Sequence, residues 1–416
     1  VYGMRIREDG TILDPIGFPI SVRSTPSTNP VVTFVDSHFF VAWIDGRNQG
    51  ADIYGARVDS QGRVLDPQGL ALVVSAYPKS SLALASDGQD CMLAFLYSLP
   101  VNPGLYVTPV SSSGVVFVPQ GIPVRINTVF QPYIAWTGTH YLISYNDGAQ
   151  GYNIAASRVA SDGTILEPSW FPIFGWNNYY MNMYSSVASS PSNSLISYYS
   201  YYYQLGNVTR VVRLNSDGEM LDSPHMKISM EYMPRISHTT ATTFLNDRYL
   251  VTWNDYRDPE NIGTAQSTAD IYANVVFPDG TVMYPQGVPV VFDSGMQLNP
   301  QVKAGNEEAL VVFRDQTRTI HDVRAVRIDA NAQPVGNPFY VNISGNAQYA
   351  PQLATGVDSD GSFQMFVLWE DLRGEDRDIY AARLNAQGNT LDATALPVSI
   401  AYGEQFAGGV VFANHQ

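Results

Sequence analysis

Apolar and polar residues alternate over short runs along almost the whole chain. IYGARV (Ile53–Val58) and RVVRL (Arg210–Leu214) have the period of two that predicts half-buried β-strands. Other runs are apolar throughout and end in an aromatic residue and an acid: FFVAWID, YLISYND, YLVTWND, ALVVFRD and MFVLWED. These predict strands buried on both faces. No stretch combines a 3.6-residue period with helix caps, so no long helix is predicted.

The punctuation between the runs is equally regular. A D-x-x-G or S-D-G step supplies a residue that tolerates positive φ, so the chain can turn into the next strand. A proline-rich group follows, as in DPIGFPIS, DPQGLALV, VPQGIPVR and YPQGVPVV. Proline cannot donate to a central ladder, so this group predicts an edge strand. A further strand opens with x-Pro, as in NPVVTF, QPYIAW, NPQVKA and APQLAT.

Set end to end, these signals form an internal repeat. Ile53–Pro67 (IYGARVDSQGRVLDP) recurs at Val1–Pro15, Ile154–Pro168, Thr209–Ser223, Ile271–Pro285 and Ile379–Ala393. Weaker copies lie at Leu105–Pro119 and Val323–Asn337. The equivalent turn positions are Gly10, Gly62, Gly114, Gly163, Gly218, Gly280, Ala332 and Gly388, spaced 49 to 62 residues apart. Four strands per unit at this period predict blades of a β-propeller. A β-sandwich would not repeat its sequence, and a solenoid would need shorter units with caps.

The fold expectation is therefore all-β: a single eight-bladed propeller of four-stranded blades over residues 1–416, with seven blades as the alternative. Seven complete units lie inside the chain. Residues 1–22 and 405–416 would share the eighth blade, which lacks its counterpart of YLVTWND. That strand could lie in chain not given, or a partner could donate it by β-augmentation.

The repeat resembles the DIYGARVDxxGxVLDPxG repeats of secreted bacterial β-propeller proteins, over essentially the entire chain. It also loosely resembles the sialidase Asp-box. SDGTIL and PDGTVM keep that turn without the Asp-box tryptophan, so sialidase chemistry is not carried over.

The chain has 416 residues, with 23 Lys+Arg, 38 Asp+Glu and a formal charge of −15. Twenty of the acids fall at repeated turn and strand-end positions, so the acidity is largely a by-product of the repeat. It argues against nucleic acid or an anionic membrane as partner. One cysteine, Cys91, excludes an intrachain disulfide, and no apolar run is long enough to span a membrane. The N-terminus shows no signal-peptide pattern, so a secreted or cell-surface location would require a signal sequence absent from this chain.

Candidate chemistry is sparse. W-x-D-x-R occurs at Trp43/Asp45/Arg47, Trp253/Asp255/Arg257 and Trp369/Asp371/Arg373, with a looser form at Phe313/Asp315/Arg318. Further acids precede strands at Asp52, Asp270, Asp322 and Asp378. Their repetition favours a structural role over an active site. The six histidines have no metal-ligand spacing. Asp358 and Asp360 read first as a turn, with calcium binding as the alternative and no other cofactor expected. No catalytic constellation is recognisable.

Aromatic residues concentrate in one sector: Trp170, Trp176, Tyr179, Tyr180, Tyr184, Tyr198, Tyr199, Tyr201, Tyr202 and Tyr203. Half would pack between strands, and the rest could stack on sugars or a protein partner. Asp258–Ala269 is a long polar insertion and a candidate contact loop. Asn29, Gln131, Arg235, Asn299, Gln301 and Gln352 open first strands and are candidate channel-mouth residues. The leading functional expectation is a non-enzymatic extracytoplasmic binding or scaffold module, contacting a protein or a surface glycan. The alternative is a polysaccharide-acting hydrolase or lyase with its site at the channel mouth.

Overall fold

Side chains close the turns that the glycine steps predict. Asp59 Oδ1 accepts the amides of Gln61 and Arg63 at 3.1 and 2.8 Å, while Gly62 takes φ +80°. Asp329 does the same for Asn331 and Gln333, and Asn385 for Gln387 and Asn389. Ala332, which replaces glycine in one copy, still adopts φ +59°. The turn is thus enforced by the carboxylate or amide that caps it.

The computed structural model describes all residues except 8–10, 16, 23–24, 49, 149–152, 167–170, 173–179, 203–205, 232–238, 258–267, 317–319, 358–362, 375, 401–402 and 414–416. For 171–172, 180–184 and 202 it describes the backbone alone. The chain forms a β-propeller of seven four-stranded antiparallel blades, with the strands of each blade in sequence order. Two compact units divide it: Val1–Arg5 with Gly17–Asn178, and Ile6–Ile16 with Tyr179–Gln416.

The first unit holds three blades. Blade one pairs Ser27–Val35, His38–Asp45, Asp52–Asp59 and Leu70–Val73. Blade two pairs Lys79–Ser86, Asp90–Tyr97, Gly104–Ser111 and Ile122–Ile126. Blade three pairs Val129–Trp136, Tyr141–Asp147, Asn153–Val159 and Phe171–Pro172.

Four blades follow in the second unit. Blade four comprises Tyr180–Ser189, Ser194–Tyr202, Gly206–Leu214 and Met226–Lys227. Blade five comprises Thr240–Leu245, Arg248–Asp255, Asp270–Val276 and Val288–Val291. Blade six comprises Gln297–Ala304, Glu308–Asp315, Asp322–Asp329 and Pro334–Tyr340. Blade seven comprises Gln348–Val357, Phe363–Asp371, Asp378–Asn385 and Leu396–Ser399. The proline-rich groups form fourth strands at the sheet edge, as their missing donors require.

Blades bury each other's faces. Phe40, Leu72, Leu93 and Phe95 close one core between blades one and two. Leu250, Val275, Val311 and Phe313 close another between blades five and six. A single blade could not bury both faces, so each depends on its neighbour.

The x-Pro openings make a bulge in the first strand. Thr28 pairs with Ile44 and Val31 with Ala42, so Asn29 and Pro30 face Trp43 alone. The same slip occurs at 80/83, 130/133, 183/186, 298/301 and 349/352. Asn29, Ser81, Gln131, Asn299 and Ala350 adopt φ between 48° and 56° there. A bulge leaves one residue unpaired, which accommodates proline's missing N–H.

The eight-blade expectation does not hold. Residues 1–22 contribute a two-stranded ladder only, Tyr2–Gly3 with Phe18–Pro19, which packs on blade one through Ile20 and Phe18. Residues 403–413 belong to no strand. With no second strand to pair with, their amides take isolated acceptors: Gly403 on Asp376, Gln405 on the Arg377 carbonyl, Ala407 on Glu370.

A buried ion pair ties blades one and two. Lys79 Nζ lies 2.6 Å from Asp52 Oδ1, and neither side chain is exposed. Asp52 also accepts the Ser75 amide and Asn48 Nδ2. Burial pushes its carboxyl up, but these donors outweigh burial and hold it below the ordinary carboxylate range.

Two stability measurements follow from this packing. Lys79→Ala is expected to cost about 3–5 kcal/mol in denaturant unfolding, because it strands a buried carboxylate. A loss below about 1 kcal/mol would contradict the pairing. Ala350→Gly removes a β-carbon from a left-handed residue and is expected to raise stability by about 1 kcal/mol; destabilisation would contradict the bulge geometry.

Candidate functional site

The W-x-D-x-R residues form the same construction wherever they are complete. In blade one, Trp43 Nε1 donates to Asp45 Oδ2 at 2.9 Å. The Arg47 amide and Nε both donate to Oδ1 at 2.9 Å, and Nη2 donates to Oδ2 at 2.7 Å. Arg47 then lies 3.6 Å over the Tyr54 ring and donates to the Gln68 carbonyl. Burial pushes Asp45 up, but these donors hold it down to about 2. Gly69, at φ +74°, lets the turn close over Trp43 and Arg47, 3.4 and 3.3 Å from where a β-carbon would sit.

Blade five repeats this with Trp253, Asp255, Arg257 and Tyr272, and blade seven with Trp369, Asp371, Arg373 and Tyr380. Every such aspartate is fully buried, with its lone pairs occupied. These groups lock strand ends together and offer no free carboxylate.

Blade four departs from the pattern. By register, Tyr198 stands where Trp43 stands, Ser200 where Asp45 stands, and Arg210 where Tyr54 stands. Tyr198 Oη lies 2.6 Å from His225 Nδ1. Burial, then the Arg210 charge, push His225 down to about 4, and burial raises the Tyr198 phenol.

Of the aromatic sector, Tyr198, Tyr199 and Tyr201 are buried, and Tyr199 Oη donates to Asn207 Oδ1. Trp170, Trp176, Tyr179 and Tyr203 lie outside the described residues, as do the side chains of Tyr180, Tyr184 and Tyr202. Most of the Asp258–Ala269 insertion, Arg235, Asp358 and Asp360 lie outside them too. Asn29, Gln131 and Asn299 are exposed bulge residues; Gln301 and Gln352 follow the bulge and are half-buried. Cys91 is buried, which pushes its thiol up to about 12. Among the described residues no group of acids, histidines or cysteines is placed to hold a metal.

Blade seven keeps the W-x-D-x-R lock beside a second acid. Asp371 pairs across the ladder with Asp378, as Asp45 pairs with Asp52. In blade one the next blade begins with Lys79, whose amide donates to the Ala51 carbonyl and whose ammonium neutralises Asp52. The same backbone bond is made by Gln297 after blade five, Gln348 after blade six and Gln405 after blade seven, so the lysine is particular to blade one. Burial, then the Asp376 and Asp371 carboxylates, raise Asp378, with Arg373 opposing. Asp371 is lowered: burial pushes it up, but Arg373 and Trp369 outweigh that. Two neighbouring carboxyls are thus pushed in opposite directions. Sequence reasoning had grouped Asp378 with the repeated acids; what sets it apart from Asp52 is the crowding by Asp376 and Asp371, which the repeat pattern does not show.

No family model matches the chain, and no curated protein sequence does. Solved structures do resemble it in architecture. An α-L-arabinanase from Penicillium chrysogenum, complexed with arabinobiose, is 13% identical with TM-score 0.44, covering 75% of this chain and 96% of that one. A puromycin hydrolase is 12% identical with TM-score 0.46, covering 88% of this chain and 54% of its own. A thermostable family-43 glycoside hydrolase is 12% identical with TM-score 0.35, covering 64% and 95%. At these identities the likeness is one of fold. No helix among the described residues is long and apolar enough to cross a membrane.

Opposite pH behaviour is expected at the two kinds of acid. Asp45 is depressed in the fold, so its stabilisation is present above the ordinary carboxylate range and lost as pH falls toward about 2. Asp45→Asn should therefore lower the melting temperature at pH 7, by the equivalent of about 3 kcal/mol. Asp378 is raised, so folding loses stability as pH climbs through its titration. Asp378→Asn should raise the melting temperature at pH 7, with the gain vanishing at pH 3. A melting temperature at pH 7 unchanged or lowered by Asp378→Asn would contradict the raised carboxyl.

Proposed function

We propose that the chain is a polysaccharide-acting hydrolase whose general acid is Asp378. The observation that supports this is the split of a cross-strand carboxyl pair at one blade end and not at its counterpart in blade one. A carboxyl that holds its proton more tightly than the acid paired with it is the kind of arrangement that glycoside hydrolysis uses for its general acid. Asp371 is committed to Trp369, Arg373 and Gln348, so it supplies field and not chemistry. Asp376 is half-buried and takes the Gly403 amide on one oxygen, which makes it the second working carboxylate. Asp378 donates its proton to the departing glycosidic oxygen, and Asp376 serves the opposite face as base or nucleophile.

Glycoside hydrolases among the solved structures above suggest polymeric sugars as the substrates to try first. A role outside the cytoplasm fits such substrates and the resemblance of the repeat to secreted bacterial propellers.

The test is release of reducing ends from arabinan, xylan, galactan and polygalacturonate. Wild-type protein is expected to cleave at least one, and Asp378→Asn to be slower by about 10²–10⁴ with its fold retained. If no polymer is cleaved, the non-enzymatic binding module is the better account; if Asp378→Asn keeps the wild-type rate, Asp378 is not the general acid.

A further inference from the structure

Three cationic or ionisable side chains in the second unit stand where the repeat mostly carries neutral ones. Arg314 occupies the position of Ile44, Leu96, Asn146, Tyr199 and Asn254, while blade seven carries Glu370 there. Arg377 occupies that of Ala51 and Ala269, and His321 is its counterpart one blade earlier. All three meet at the ring of Tyr349. Arg314 lies 5.9 Å from its centroid and Arg377 5.5 Å, while the His321 ring meets it edge-on at 5.0 Å. Phe406, 63% exposed, extends the aromatic surface under Arg377 at 5.1 Å.

The charges of this cluster do not balance. Arg377 pairs with Glu370 at 2.8 Å and Glu404 at 3.4 Å. Burial and then the Arg314 charge lower His321, and it lies 2.7 Å from Gln316 Nε2. Arg314 has no acid or carbonyl partner among the described residues, and its Nε is buried without a hydrogen bond. An unpaired, partly desolvated guanidinium is costly. In a chain of charge −15, with acids to spare, its isolation is notable. A planar fork of donors beside the Tyr349 ring, with the Phe406 ring on the far side of Arg377, has a definite chemical complement. The fork matches a carboxylate in bidentate fashion, and the rings match the apolar face of a pyranose.

We propose that Arg314, Tyr349 and Phe406 form a subsite for the carboxylate and ring of a uronic acid unit, which makes the preferred glycan an acidic one. This deepens the hydrolase reading and, as a statement about substrate class, rests on it; the subsite itself stands on Arg314. Arg377 and Glu370, already paired, hold the aromatic pair in place.

The experiment is calorimetric binding of a galacturonic acid oligosaccharide, with a neutral galactose oligosaccharide of equal length as the control. Wild-type protein should bind the acidic oligosaccharide more tightly and lose affinity as salt rises. Arg314→Gln, checked for an unchanged melting temperature, should weaken binding about ten- to a hundredfold. Phe406→Ala should weaken binding of both oligosaccharides. No binding, equal affinity for the two oligosaccharides, or an unaffected Arg314→Gln would overturn the proposal. Arg314-dependent binding without cleavage of any polymer would uphold the subsite while removing the hydrolase. Cleavage of a neutral polymer without uronate binding would do the reverse.

Discussion

A carboxylate buried at the end of a strand must be met by donors within hydrogen-bond reach, and this chain repeats that demand along its length. Asp45, Asp147, Asp255, Asp315 and Asp371 are each at most 1% exposed. Each is answered by an arginine, but from different places. Arg47, Arg257 and Arg373 come from the same turn, Arg125 from the preceding blade's last strand, and Arg324 from the third strand of the same blade. The need to satisfy the acid fixes the tryptophan, the arginine and the tyrosine under it. It also explains why glycine, at Gly69 and Gly287, sits over the indole.

Against so regular a background, function is best sought where the pattern is broken. Blade four replaces the lock with Tyr198, Arg210 and His225, and in doing so buries three of the tyrosines that looked like a contact surface. At blade seven the lock remains, but the acid across from it is crowded by burial and by Asp376 and Asp371. The Arg314 cluster adds positive charge at a third departure, in the two adjoining blades. A stable repeat can carry such local costs because the surrounding blades over-determine its geometry.

Much of this was legible in the sequence. Period-two alternation, the glycine steps and x-Pro openings place every blade, and the edge position of the proline-rich strands follows from proline's missing donor. Blade number was misjudged because repeat copies were counted where ladders were needed. Val1–Pro15 matches the repeat, yet its strand finds only Phe18–Pro19 to pair with. Asp378 and Arg314 were illegible for another reason. Aligned by motif, Asp378 looks like Asp52, and what tells them apart is spatial: Lys79 reaches Asp52, whereas Asp376 and Asp371 crowd Asp378. Arg314 sits in an apolar run whose register gives no hint that the next blade also brings a cation, Arg377, to the same tyrosine ring.

The central claim is that burial and neighbouring carboxylates split one cross-strand carboxyl pair, raising Asp378 while Asp371 is lowered. Carbon-13 NMR titration of the aspartate carboxyls, with Asp371 and Asp378 assigned by substitution, tests it directly. The account predicts that Asp371 titrates below the ordinary carboxylate range and Asp378 above it, while Asp45 and Asp52 both titrate below. Asp371 and Asp378 titrating together, in the range of an exposed aspartate, would contradict it.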